Sequence, residues 1–260
     1  MVPILFRIGP IEVPAHESFI AAGVGLGALV FVFEARRRRE LDDRIIWILI
    51  GAMIGGAVFA KISTAWQYLQ AEPDASLAGV WLHGGRSVLG GLAGAYAGAE
   101  VTKRMVGYRL STGDLFAPAV ALGMAVGRIG CFLTERVGTA TTLPWGLSVD
   151  AAVAARIPMC PGCVAGTPMH PSFLYEIAFH GAMFLYLWQR RDRWAVRGQS
   201  FKVYLLAYGV SRFALEFVRG NPVMWLGLTG SQLFLLATLP LLAAYFLRTA
   251  RVSIPARSPA

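Results

Sequence analysis

Apolar residues fall into seven runs separated by short polar or basic breaks, at about residues 18–33, 45–69, 87–101, 115–133, 173–188, 201–218 and 231–247. Within each run the apolar positions are nearly continuous. A span needs roughly 20 apolar residues in helical form, so the pattern predicts an all-α polytopic membrane protein with seven transmembrane helices. A polar stretch bearing Pro and Gly, about 134–170, interrupts the fourth and fifth runs and predicts a small loop region. The expected organisation is one integral-membrane domain over 1–250 with a short tail, 251–260.

Composition agrees. Of 260 residues, 56% are hydrophobic and 15% charged, against about 25% charged in ordinary soluble domains. Mean hydropathy is +0.55. Disorder, which needs low hydrophobicity, is excluded. The first ten residues carry Arg7 and reach Pro10 too early for a cleaved leader of the usual kind. The net charge of +9 comes from 24 basic against 15 acidic residues, and placement explains it. With the N-terminus outside, 16 of the 24 basic residues fall on the inner side, among them Arg36, Arg37, Arg38, Arg39, Lys103, Arg104, Arg190, Arg191 and Arg248. The charge therefore orients the chain, C-terminus inside, and nucleic acid is not an expected partner. Gly23 with Gly27, Gly51 with Gly55, Gly90 with Gly94 and Gly98, and Gly123 with Gly127 repeat at four-residue spacing. That spacing lets helices approach closely in lipid.

Two arginines lie inside apolar runs. Each charge costs about 2.5–3.5 kcal/mol at a helix centre on insertion scales, so each predicts a partner. Arg128 and Arg212 rise to similar depths in the fourth and sixth runs, about 20 and 16 Å from the inner ends at 1.5 Å per residue. Two guanidiniums at one depth suit a single phosphate, which arginine binds in bidentate fashion. Glu216 follows Arg212 by four residues and faces it on a helix, so a plain ion pair is the competing reading. Glu135 and Arg136 stand just past the fourth run, where a solvated pair is the simpler reading. His83-Gly84-Gly85-Arg86-Ser87 offers a glycine turn whose N–H groups could hold an anion, although it also reads as a turn alone. His170-Pro171-Ser172 reads as a helix start, with Ser172 as cap. Cys131 stands one turn from Arg128, as a core thiol or a functional one. Cys160-Pro161-Gly162-Cys163 predicts a local disulfide if the loop faces an oxidising compartment. A zinc site at these two cysteines would need further ligands that the spacing does not supply. Neither metal nor cofactor is expected.

Gly127-Arg128-Ile129-Gly130, His170-Pro171-Ser172-Phe173-Leu174-Tyr175-Glu176, and the segment from Tyr208-Gly209 through Arg212 and Glu216 to Arg219 resemble the bacterial prolipoprotein diacylglyceryl transferase family. Gly84-Gly85-Arg86-Ser87 followed by Gly90-Gly91 is similar to its third-helix motif, and Ile8-Gly9-Pro10 to its amino-terminal segment. The resemblance implies seven spans in the inner (cytoplasmic) membrane with a periplasmic N-terminus and a cytoplasmic C-terminus. It also implies transfer of diacylglycerol from phosphatidylglycerol to the lipobox cysteine of prolipoproteins. Arg212, Glu216 and Glu135 would then be catalytic. Arg128, Gly84, Gly85, Arg86, Cys131, His170 and Tyr175 would bind substrate. The implied partners are phosphatidylglycerol, prolipoproteins and the bilayer.

The chain departs from the family pattern at Leu89, where the family carries a His, and at Cys131, where it carries an Asn. A family Tyr near the first helix is matched loosely by His16. His83 or His16 could replace the missing His, but the sequence puts neither at the site. Two alternatives stay open: a divergent paralogue that uses the same phosphatidylglycerol seat for another acceptor, and a non-enzymatic phospholipid-binding membrane protein.

Overall fold

A computed structural model describes residues 4–9, 11–72, 74, 76–83, 85, 87–135, 138–148 and 166–252. In chain order these form β1 (Ile4–Ile8), β2 (Ile11–Pro14), α1 (Ala15–Arg37), α2 (Asp43–Ala71), α3 (Leu77–His83), α4 (Val88–Met105) and α5 (Gly113–Thr134). There follow β3 (Leu147–Ser148), β4 (Pro168–Met169), α6 (Ser172–Gln189), α7 (Gln199–Glu216), β5 (Val223–Trp225), β6 (Leu228–Thr229) and α8 (Gly230–Val252). Among the described residues, all seven apolar runs appear as helices of 18 residues or more. Four contain segments long and apolar enough to cross a membrane: Ala15–Arg37, Asp43–Ala65, Gly113–Thr134 and Gly230–Arg248. The other three, α4, α6 and α7, have 18 residues each and include Glu100 and Lys103, Glu176 and His180, and Arg212 and Glu216 respectively. Their polar content is what separates them from the other four.

The strands were not foreseen. They form three two-stranded antiparallel pairs, β1–β2, β3–β4 and β5–β6. All are too short for a period-2 pattern to stand out. The β5–β6 turn places Leu226 at φ 51° and Gly227 at φ 71°, the left-handed region in which glycine is unstrained. The short helix α3 also lay below the length at which apolar periodicity is legible. Ser172 is not the cap of α6. Pro171 holds the cap position with no side-chain bond, and Ser172 is the first helical residue, buried.

The chain divides into two compact units, Met1–Phe31 with Ser111–Ala260, and Val32–Leu110. The smaller unit pairs α2 with α4 through glycines. A methyl on Gly55 would strike the Gly94 carbonyl, and one on Gly98 the Gly51 carbonyl. The four-residue glycine spacing is therefore a helix contact. Asp42 caps α2 by accepting the Ile45 N–H at 2.9 Å, which satisfies one otherwise unpaired donor. The buried Glu34 accepts from Arg37 and Arg38 at the end of α1, so part of the arginine run is locally neutralised.

In the larger unit, α5 packs on α6 and α7, and α7 on α8. A methyl on Gly23 of α1 would meet the Gly123 carbonyl of α5 at 2.5 Å, and one on Gly27 the Ala119 carbonyl at 2.9 Å. Ala117, Ala121, Leu187 and Tyr204 form a buried cluster under Phe184, Trp194 and Phe201. Asp114, buried in the first turn of α5, accepts from Gly198 N at 2.7 Å and from Ser200 N at 3.2 Å and Oγ at 2.5 Å. This ties the start of α7 to α5. Leu185, Val210 and Leu241 of the long helices point outward. In water such faces are costly; in hydrocarbon they are solvated.

Candidate active site

The larger unit buries charge along helical stripes. On α6, Ser172, Glu176 and His180 recur every four residues and are at most 1% exposed. On α7, Ser200, Tyr204, Tyr208, Arg212 and Glu216 do the same, all buried. On α5, Arg128 and Cys131 are buried one turn apart, and Glu135 holds the helix C-cap. Four-residue spacing keeps such groups on one face.

These stripes meet around Glu176. Its Oε2 lies 2.6 Å from Arg128 Nε, and its Oε1 accepts from Arg219 Nη1 at 2.7 Å. The Arg128 contact lacks the alignment of a hydrogen bond, so it is an ionic contact rather than a directed bond. The Phe173 ring lies 4.5 Å from the Arg219 guanidinium and 5.8 Å from that of Arg128, within cation–π range of both. Arg212 pairs with Glu216 within α7. Glu216 Oε1 also accepts from Asn221 Nδ2 at 2.7 Å and Thr229 Oγ1 at 2.9 Å. The turn after α7 and the end of β6 thus hold this carboxylate. Beside the cluster, Tyr204 OH and His180 Nδ1 are 3.0 Å apart. The buried His180 Nε2 and Tyr208 OH have no hydrogen-bond partner among the described residues.

Glu135 joins the cluster from its rim. It lies 3.4 Å from His16 Nε2 and 4.0 Å from Arg219 Nη2. Burial works against its carboxylate. Hydrogen bonds from His16 and Cys131, with the Arg219 and Arg128 charges, outweigh that and hold its pKa below the ordinary carboxylate value. Burial draws the Arg219 guanidinium below its ordinary value against the pull of Glu176. Cys131 Sγ lies 3.6 Å from Arg128 Nη1 and 3.7 Å from His16 Nε2. His170 Nδ1 is 3.2 Å from Tyr175 OH, which also accepts from Trp145 Nε1 at 2.8 Å.

Seven of the ten sequence-derived site residues therefore lie in this unit: Arg128, Arg212, Glu216, Glu135, Cys131, His170 and Tyr175. The Arg212–Glu216 ion pair is present as the spacing predicts, and Arg128 also has its partner. Gly85 belongs to the smaller unit, where Thr64 Oγ1 donates to its carbonyl at 2.7 Å. Leu89 belongs to that unit too. Gly84, Arg86, Arg136, Cys160 and Cys163 lie outside the described residues. The sequence reading gave no site role to Glu176, Arg219, His180 or Tyr208. The four-residue spacing of Glu176 with His180 and of Tyr208 with Arg212 in apolar runs is the signal that could have found three of them. His16, which the sequence could not place, stands against Cys131 and Glu135.

Comparison with known proteins agrees with this architecture. The model of the prolipoprotein diacylglyceryl transferase family matches residues 3–248. A phosphatidylglycerol–prolipoprotein diacylglyceryl transferase of Gloeobacter violaceus is 32% identical over 243 residues, 90% of this chain and 88% of the relative. Those of Bordetella parapertussis and Coxiella burnetii are 30% and 31% identical, over 89% and 84% of this chain and 87% and 81% of theirs. With its apolar helices, its buried arginine–carboxylate cluster and a match along nearly its whole length, this chain belongs to the prolipoprotein diacylglyceryl transferase family.

Proposed function

We propose that this chain transfers the diacylglyceryl group of phosphatidylglycerol to the lipobox cysteine thiol of prolipoproteins, with release of glycerol phosphate. The observation that carries the reading is a unit that buries Arg128 and Arg212 with Glu176 and Glu216, beside the partly buried Arg219 and the rim carboxylate Glu135. Arginines kept inside apolar helices at such cost imply an anionic ligand. The reaction breaks a carbon–oxygen bond to phosphate, so cations must bind the phosphate and offset charge on the leaving group.

Arg128 is the phosphate-binding residue in this reading. Glu176 is shared with Arg219, so a phosphate can take Arg128 while Glu176 keeps a partner. Arg212, held by Glu216, and Glu135 at the rim are the catalytic groups. Cys131 and the His170–Tyr175 pair contribute to substrate binding, together with the Gly84-Gly85-Arg86 turn. The chain sits in the inner membrane with seven spans, N-terminus periplasmic and C-terminus cytoplasmic, as its basic residues favour.

A second reading keeps the phosphatidylglycerol seat and changes the acceptor. Leu89 favours it, because an apolar side chain there can neither move a proton nor bond to phosphate. The test uses purified full-length protein in phosphatidylglycerol micelles, with and without a lipobox peptide. Peptide-dependent release of glycerol phosphate with a diacylglyceryl mass gain is expected. Lipid binding dependent on Arg128 and Arg212, without any mass gain, would refute the lipobox acceptor. In the first reading Leu89→His raises transfer; an unchanged rate in a correctly inserted variant favours the second.

A further inference from the structure

His16 at the start of α1, and Cys131 and Glu135 at the end of α5, bring an imidazole, a thiol and a carboxylate to one point. Their donor atoms all lie within 4.8 Å of one another. His16 Nε2 is 3.7 Å from Cys131 Sγ and 3.4 Å from Glu135 Oε1. Zinc–sulfur, zinc–nitrogen and zinc–oxygen bonds of about 2.3, 2.0 and 2.1 Å in a tetrahedron imply ligand–ligand edges of about 3.3–3.6 Å. The two measured edges are close to that range. Cys131 and Glu135 are four residues apart, which puts both on one face at the end of α5.

The surroundings also resemble those of a metal centre. Glu17 Oε1 stands 3.6 Å from His16 Nδ1, in the place a carboxylate takes when it orients a metal-bound histidine. Arg128 Nη1, 3.6 Å from Cys131 Sγ, is positioned as an outer donor to a thiolate. Arg128 and Arg219 oppose a cation here, while a thiolate and a carboxylate supply two negative charges for it. The Cys131 side chain is buried, whereas His16 and Glu135 are 24% and 41% exposed. The point can therefore be reached from solvent.

We propose that His16, Cys131 and Glu135 form a three-ligand site for a zinc-class divalent ion, with a fourth position open to a thiol. The metal site stands on its own geometry; the thiol role rests on the transferase reading. A thiol entering the fourth position releases its proton to water and binds as thiolate. Its sulfur then forms a bond to the terminal glyceryl carbon of the lipid. The bond from that carbon to the phosphate oxygen breaks, and the electron pair leaves with glycerol phosphate.

Cobalt(II) is the probe, titrated into chelator-treated full-length protein in detergent. Cys160 and Cys163 are both changed to Ser, so that Cys131 is the remaining thiol. One equivalent should bind with a thiolate-to-cobalt charge-transfer band, absent in Cys131→Ser. Affinity should fall at least tenfold in His16→Gln and in Glu135→Gln. No band, or a band that persists in Cys131→Ser, overturns the site. Should Cys131→Ser fail to fold, unchanged affinity in His16→Gln overturns it equally. A lipobox peptide should shift the cobalt spectrum without lipid present. A spectrum unmoved by the peptide overturns the open thiol position and leaves the metal site standing. Because the band is read without turnover, loss of transferase activity does not imitate its loss.

Discussion

Arg128 on α5 and Glu176 on α6 face each other at 2.6 Å between buried side chains. Glu176 has a second cation in Arg219 at 2.7 Å, whereas Arg128 has no second carboxylate within ion-pair distance among the described residues. The dependence is unequal. Removing the carboxylate strands Arg128 and leaves Arg219 with only its 4.0 Å contact to Glu135; removing Arg128 leaves the carboxylate paired.

Stability should follow that inequality. Breaking a buried pair by deleting one partner costs about 3–5 kcal/mol. Glu176→Gln is expected to lose an amount of that order in detergent-solubilised protein, and Arg128→Met clearly less. The comparison is read from thermal or denaturant unfolding of both variants beside the parent. A larger loss in Arg128→Met would contradict the shared role of Glu176.

Turnover should follow a different order. Arg128→Ala and Arg212→Ala are each expected to abolish phosphatidylglycerol turnover while the protein still inserts into membranes. Glycerol phosphate release and membrane fractionation measure the two together. Parental turnover in both variants would end the case for these arginines as the phosphate site.

The α2–α4 contact makes a prediction about size alone. Gly98→Ala drives a methyl into the Gly51 carbonyl, while Gly91→Ala meets only ordinary contact at 3.5 Å from Ala60 Cβ. Gly98→Ala should cost about 1–3 kcal/mol by overpacking. Gly91→Ala should be close to neutral. Equal melting temperatures would mean that the helices separate at no cost.

Acid should weaken the α2 cap. The Ile45 N–H bonded to Asp42 lowers its carboxyl pKa, with Arg44 adding to the shift. A depressed carboxylate contributes stability above its unfolded pKa. That contribution disappears as pH falls through the folded value. Asp42→Asn keeps an acceptor at the cap but does not titrate, so its acid loss of stability should be shallower than the parent's. Parallel pH–stability curves would remove Asp42 from the acid response.

Some of the site was legible before any fold was known. Arg212 and Glu216 are four residues apart in an apolar run, and helical geometry leaves them little choice but to pair. The partner of Arg128 was not legible in that way. Glu176 is 48 positions further along the chain, and its role depends on α6 packing beside α5. His16 is more distant still. Its meeting with Cys131 and Glu135 depends on the close approach of α1 to α5 that Gly23, Gly27 and Gly123 permit. The short strand pairs escaped because two to five residues carry too little periodicity.

Apolar run length, basic flanks and four-residue glycine and polar spacing are local properties of the chain. By themselves they determined the seven long helices, their small-residue contacts and the helical faces that carry charge. Which carboxylate neutralises which arginine, and which histidine reaches the thiol, was decided only in the tertiary structure. A charge buried in a nonpolar interior takes the nearest opposite charge in space, and helix packing sets that distance.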